Sequence, residues 1–110
     1  MQIPLEIKYY KNSHGSSPFL EWMENLSDRV GRAKIKLHID KLLRGNFGNC
    51  RSVGDGLHEL KIHYGPGYRV YFCWLGRQLI LIFCGGSKRT QDRDIEKAKQ
   101  YWASLKEEIS

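Results

Sequence analysis

The stretch Leu57 to Arg89, LHELKIHYGPGYRVYFCWLGRQLILIFCGGSKR, decides the fold, and its centre is the loop Tyr64-Gly65-Pro66-Gly67-Tyr68 followed by Arg69. Alternating residues run into and out of this Gly-Pro-Gly turn, the pattern of a β-hairpin with a loop of about three residues. Pairing Tyr64 with Tyr68 sets Ile62 opposite Val70, Leu60 opposite Phe72 and His58 opposite Trp74 on one face. The other face then carries His63 opposite Arg69, Lys61 opposite Tyr71 and Glu59 opposite Cys73. A second tight turn at Gly76-Arg77 leads into a third strand, Gln78 to Cys84. With those two residues as the loop, Leu79, Leu81 and Phe83 extend the apolar face, Cys84 falls beside Arg69, and Lys88 and Arg89 lie just past the strand end. The prediction is a three-stranded antiparallel meander with one apolar face and one open face that gathers ionisable groups.

Outward from the meander, Ile3 to Tyr10 alternates with period two and reads as a strand closing one side of the sheet. Ser17-Pro18 is an N-cap followed by a first helical residue, and Phe19, Trp22, Met23 and Leu26 give the helix its apolar stripe. Ser27-Asp28 opens a second helix, about Asp28 to Arg44, that turns back on the first and ends at Gly45. Its two apolar groups, Val30, Ala33, Leu37 and Ile35, Ile39, Leu42, imply cover on two sides, one by the sheet and one by the first helix, with Arg29, Arg32, Lys34, Lys36, Lys41 and Arg44 in solvent. Asn46 to Gly56 is turn chemistry around a short extended piece, Cys50 to Val53. After Gly85-Gly86-Ser87-Lys88-Arg89, Thr90 caps a last helix of about Gln91 to Glu107, with Asp92 and Asp94 in its first turn and Ile95, Ala98, Trp102, Leu105 and Ile109 buried. The order β-α-α-β-β-β-α is that of a single α+β domain over 1–110: an antiparallel sheet with an N-terminal strand, a helical hairpin packed on one face and a C-terminal helix.

Lys plus Arg exceed Asp plus Glu by 18 to 12, so a polyanion, either nucleic acid or an acidic protein, is the natural partner, with a solubility role as the bland alternative. Cys50, Cys73 and Cys84 are odd in number and lack Cys-x-x-Cys spacing, which fits free thiols in a reducing compartment. The four histidines are scattered, so no metal site is expected, and no cofactor. Gly85-Gly86 stands near basic residues, but no phosphate-loop pattern accompanies it. There is no signal-type apolar run and no apolar stretch of bilayer length, so the expectation is a cytoplasmic protein.

This order of elements, with GLHELKIHYGPGYRVYF at 56–72 and CGGSKRTQDRDIEKAKQYW at 84–102, resembles the RelE/ParE superfamily of toxins, and within it the HigB-like group of phage-related, addiction-module killer proteins. The resemblance covers nearly the whole chain. It implies a type II toxin that is neutralised by a small helix-turn-helix antitoxin, which also represses the shared operon. It also implies cleavage of messenger RNA in the ribosomal A site without metal, and growth arrest as the result. On this resemblance Lys61 matches the family's strand lysine with one residue of loop difference, Arg69 its arginine after a Gly-Tyr pair, and Lys88 and Arg89 its late basic pair. The tyrosine that RelE itself carries further on is absent; Ile95 stands near that position, with Asp92 and Asp94 close by. The alternatives in other classes are a ParE-like inhibitor that binds DNA gyrase, and an inactive member that only binds its antitoxin.

Metal-free RNA cleavage needs a base for the 2′-hydroxyl proton, cations for the charge on the phosphorane and an acid for the leaving 5′-oxygen. Arg69 is the best cation, because a guanidinium meets two phosphate oxygens at once. Lys88 and Arg89 can grip the phosphate or its neighbour, and Arg93 and Arg51 are further RNA contacts. His63, Lys61 and Glu59 compete as base, with Glu59 also able to neutralise Lys61 or contact RNA. Tyr71 is open between orienting the ribose, stacking on a base and donating a proton. Against this stands an ordinary cross-strand charge ladder of Glu59, Lys61 and Arg69 on a wet sheet face.

Overall fold

The computed structural model describes residues 4–109. Five strands form one sheet: β1 (Glu6–Tyr9), β2 (Cys50–Gly54), β3 (Leu57–Ile62), β4 (Tyr68–Leu75) and β5 (Leu79–Ser87), in spatial order β1-β5-β4-β3-β2. Helices α1 (Pro18–Asn25) and α2 (Arg29–Leu43) cover one face, and α3 (Gln91–Ile109) covers the other, entered through a single 3-10 turn at Lys88–Thr90. The α+β class stands as expected. The sheet itself is mixed, because β1 runs parallel to β5 while every other pair is antiparallel, and the extended piece around Cys50 is a full strand that lengthens the meander to four. Of the expected N-terminal strand, Ile3 lies outside the described residues.

The helix starts follow from their caps. Ser17 Oγ accepts from the Leu20 amide at 3.2 Å with Pro18 in the first turn, and Asp28 accepts from the Gly31 amide at 2.9 Å. Gly45, at φ 88°, is in the left-handed conformation that ends α2. One core then joins Phe19 and Met23 of α1 and Ile35, Ile39 and Leu42 of α2 to Leu60, Ile62, Val70, Phe72, Ile80 and Ile82 of the sheet. The other apolar group of α2 is not covered: Val30 and Leu37 are 53% and 49% exposed. On α3, Ile109 is likewise exposed, while Ala98 is buried and Ile95, Trp102 and Leu105 are half-buried. Thr90 does not cap α3 as expected; its hydroxyl takes the Ser87 amide at 3.3 Å and donates to the Asp94 carboxylate at 2.5 Å.

Register departs from the sequence reading at both turns. The β3–β4 ladder closes at Ile62 opposite Tyr68, leaving a five-residue loop, His63 to Gly67, in which Gly65 (φ 55°) and Gly67 (φ 77°) flank Pro66. Lys61 therefore faces Arg69 and Glu59 faces Tyr71, a shift of two residues that preserves the faces and changes every partner. His63 is an exposed loop residue and does not oppose Arg69. Between β4 and β5 the loop has three residues, because Leu75 pairs with Leu79. That single-residue slip turns Ile80 and Ile82 toward α1 and α2, and Leu81 and Phe83 toward α3. A bulge opposite Tyr71 and Phe72 then sends Cys84 to the α3 side too, so Cys84 lies beside Tyr71 while Arg69 faces Gly86.

Candidate functional site

The face expected to be open is roofed by α3. Leu57, Tyr71, Cys73, Leu81, Phe83, Cys84 and Ala98 form a second core there, with Trp102 and Tyr101 packed against it. Strand alternation directs Glu59, Arg69 and Tyr71 into the end of this layer, where all three are buried and α3 meets Glu59 through Gln91 and Tyr71 through the second core.

Glu59, 0% exposed, is the hub. Its Oε1 accepts from Arg51 Nε at 2.9 Å, and its Oε2 accepts from Gln91 Nε2 at 2.8 Å and Tyr71 OH at 3.1 Å. Arg69 Nε stands 3.7 Å from the same Oε2. Burial alone would raise the Glu59 carboxyl, but the hydrogen bonds from Gln91, Arg51 and Tyr71 and the Arg51 charge outweigh it and hold the group below its usual range. Burial first, then the Glu59 charge and hydrogen bond, push the Tyr71 phenol far up. Tyr71 is thus neutral and tied to Glu59, and both side chains are buried rather than on the open face expected of them.

Arg69 is buried as well, its side chain 6% exposed. Nη1 donates to the Gly67 carbonyl at 2.7 Å, but Nε makes no hydrogen bond. A buried guanidinium with an unused N–H is costly, and such groups concentrate where function needs a fixed charge. Gly67, at φ 77°, packs closely here: a Cβ there would lie 3.1 Å from Arg69 Nη1 and 3.6 Å from Lys88 Cβ. The turn glycine thus brings Lys88 to the rim above Arg69, while Lys61 flanks Arg69 across the ladder. Lys88, Arg89 and Arg93 are exposed, and Arg51 is 57% exposed at its side chain. Arg69, Lys61 and Lys88 are brought together; His63 is displaced into the loop, and Arg51 serves Glu59.

Gln91 and the Thr90–Asp94 pair were missed in the sequence. Their one signal was Gly85-Gly86: a Cβ on Gly86 would overlap the Asp94 carboxylate, and one on Gly85 the Trp22 ring. These glycines admit two side chains from opposite faces and form no phosphate cradle.

The sequence profile of the phage-derived protein Gp49-like family matches residues 21–103, which take in the whole Glu59–Arg69 cluster, all of α2 and most of α1 and α3. The chain belongs to this family. Its members are addiction-module killer proteins related to RelE-type toxins, and an antitoxin is therefore among the partners of this killer protein. An uncharacterised protein of Haemophilus influenzae is 46% identical over 81 residues, covering 74% of this chain and 82% of that one.

The basic side of the killer protein continues from the rim into a depression of about 480 Å³ lined by Lys88, Arg89, Thr90, Gln91, Asp92 and Arg93. Among the described residues no group of three or more His, Cys, Asp or Glu is arranged to hold a metal ion, and no helix is long and apolar enough to cross a membrane.

Proposed function

We propose that this killer protein is a HigB-like endoribonuclease, an mRNA interferase that cuts translated messages on the ribosome and is silenced by a helix-turn-helix antitoxin. The observation that carries the reading is Arg69: a buried guanidinium with an unused Nε–H, beneath a rim of Lys61 and Lys88. A charge held in place before substrate arrives stabilises a phosphorane without reorganisation at the moment of reaction. Arg69 supplies that charge from just below the surface, while Lys88 and Arg89 contact the phosphate and its neighbour. The 2′-oxygen loses its proton to Lys61 or His63 and attacks phosphorus; the bond to the 5′-oxygen breaks, and that oxygen takes a proton from the rim. The products are a cyclic 2′,3′-phosphate and a 5′-hydroxyl end. Arg51 acts through Glu59, and Arg93 extends the RNA path.

Expression without antitoxin arrests growth, and primer extension on abundant transcripts shows new 5′ ends inside coding regions. Arrest with unchanged transcripts and induced DNA damage would move the assignment to gyrase inhibition; full growth would mark an inactive member.

A further inference from the structure

We propose that the groove between α1 and α3 is a subsite for one RNA nucleotide whose base carries an amino group, a reading that rests on the endoribonuclease assignment. The groove holds about 570 Å³ between Trp22 of α1 and Arg93, Lys97 and Tyr101 of α3, with Gly85 and Gly86 in its floor.

Its chemistry is divided in the way a nucleotide is divided. Along the rim, Arg89, Arg93 and Lys97 are exposed cations. Arg93 and Lys97 lie one turn apart on the same face of α3, about 6 Å along its axis. Arg89 and Arg93 also line the depression beside Lys88, so one cationic rail runs from the rim above Arg69 into the groove. The floor has the opposite sign. Asp94 is 7% exposed, its Oδ2 engaged by the Thr90 hydroxyl, and it sits against Gly86. A carboxylate there repels a phosphate and accepts from the exocyclic amino groups of adenine, cytosine or guanine, which uracil lacks. Half-buried Trp22 and Tyr101 provide apolar ring surface for a base, which stacks on aromatics in single-strand sites generally. An acidic protein segment would suit the rail, but its carboxylates would meet Asp94 unfavourably.

The test uses the full chain and fluorescent, uncleavable 2′-O-methyl oligonucleotides, with anisotropy read across a salt series. Oligo(A) and oligo(C) are expected to bind about tenfold more tightly than oligo(U). The double variant Arg93→Gln/Lys97→Gln should weaken all three and lower the log–log salt slope by about 1.4, at roughly 0.7 per phosphate contact. Arg93→Lys/Lys97→Arg should restore the slope, and melting curves confirm that these exposed positions leave folding unchanged. Wild-type binding with an unchanged slope in the double variant overturns the groove and leaves the endoribonuclease reading standing. Equal affinity for oligo(U) overturns the role of Asp94. Failure of the wild type to bind any oligonucleotide overturns the groove, while new 5′ ends in cellular transcripts decide the endoribonuclease reading separately. Displacement of RNA by polyglutamate, with RNA affinity itself unaffected by the double variant, assigns the rail to an acidic protein instead.

Discussion

Replacing Glu59 with Gln removes one charge from the most heavily bonded side chain in the structure while keeping its shape. The carboxylate takes three hydrogen bonds and faces the Arg69 guanidinium at 3.7 Å. An amide has one acceptor oxygen; set where Oε2 stands, it keeps Tyr71 and Gln91 and turns its NH2 toward Arg51. Arg51, 57% exposed, can swing into water at little cost, whereas Arg69, at 6%, loses its counter-ion inside the protein. Breaking a buried pair from one side costs about 3–5 kcal/mol, and the surviving neutral bonds favour the lower end, about 3 kcal/mol. With an unfolding entropy near 2.1 cal/mol/K per residue, that corresponds to a fall in Tm of roughly 13 °C. Arg51→Gln, which breaks only the exposed arm, should cost less than about 1 kcal/mol, or roughly 4 °C. The pH dependence follows from the lowered carboxyl of Glu59. Its contribution is complete above the unfolded carboxyl value of about 4.3 and is lost as pH falls through the lower folded value, so the gap between wild type and Glu59→Gln closes in acid. Thermal unfolding followed by circular dichroism from neutral pH downward measures both effects. A neutral-pH drop of under about 4 °C, or a gap that stays constant in acid, would refute the reasoning.

Arg69→Met, which fills the space without charge, should abolish toxicity and lower stability by no more than about 1–2 kcal/mol, because Glu59 keeps its bonds from Arg51, Gln91 and Tyr71 while the buried Nε–H that lacks a hydrogen bond is removed; toxicity with a wild-type melting curve would remove Arg69 from the chemistry. Lys61→Met and His63→Gln separate the two candidate bases: whichever lowers the rate of RNA cleavage by about 10²-fold or more carries the proton, and loss through neither removes both residues from that role and assigns the proton to water. Gly86→Ala should cost about 1–3 kcal/mol in denaturant unfolding by displacing the Asp94 carboxylate, whereas Gly76→Ala meets no neighbour and suffers only from its φ of 70°. Burial pushes the Cys73 and Cys84 thiols up to about 12, so a native sample should react with an aromatic disulfide reagent promptly at Cys50 alone, and at all three thiols in denaturant.

The chain by itself determined the order of the elements and the starts of the first two helices, because caps are local. Ser17-Pro18, Asp28 and Gly45 bracket the helices where the side-chain and backbone chemistry says they must, and the Gly-Pro-Gly turn makes a hairpin. It also determined that Glu59, Lys61, Arg69 and Tyr71 share a face, since a two-residue error in register leaves period-two faces unchanged. Only the tertiary structure decided the rest. The three-residue turn after Leu75 and the bulge near Tyr71 turned Leu81, Phe83 and Cys84 away from the first core, and loop length carries that information weakly in sequence. Parallel pairing of β1 with β5 depends on two segments about 70 residues apart, which no local pattern encodes. The roof over the polar face was hidden for a related reason. Alternation tells which side chains point the same way, but whether a charged residue there meets water or a helix depends on where α3 lands; it lands on Glu59 and Tyr71, and a wet charge ladder becomes a buried, hydrogen-bonded cluster.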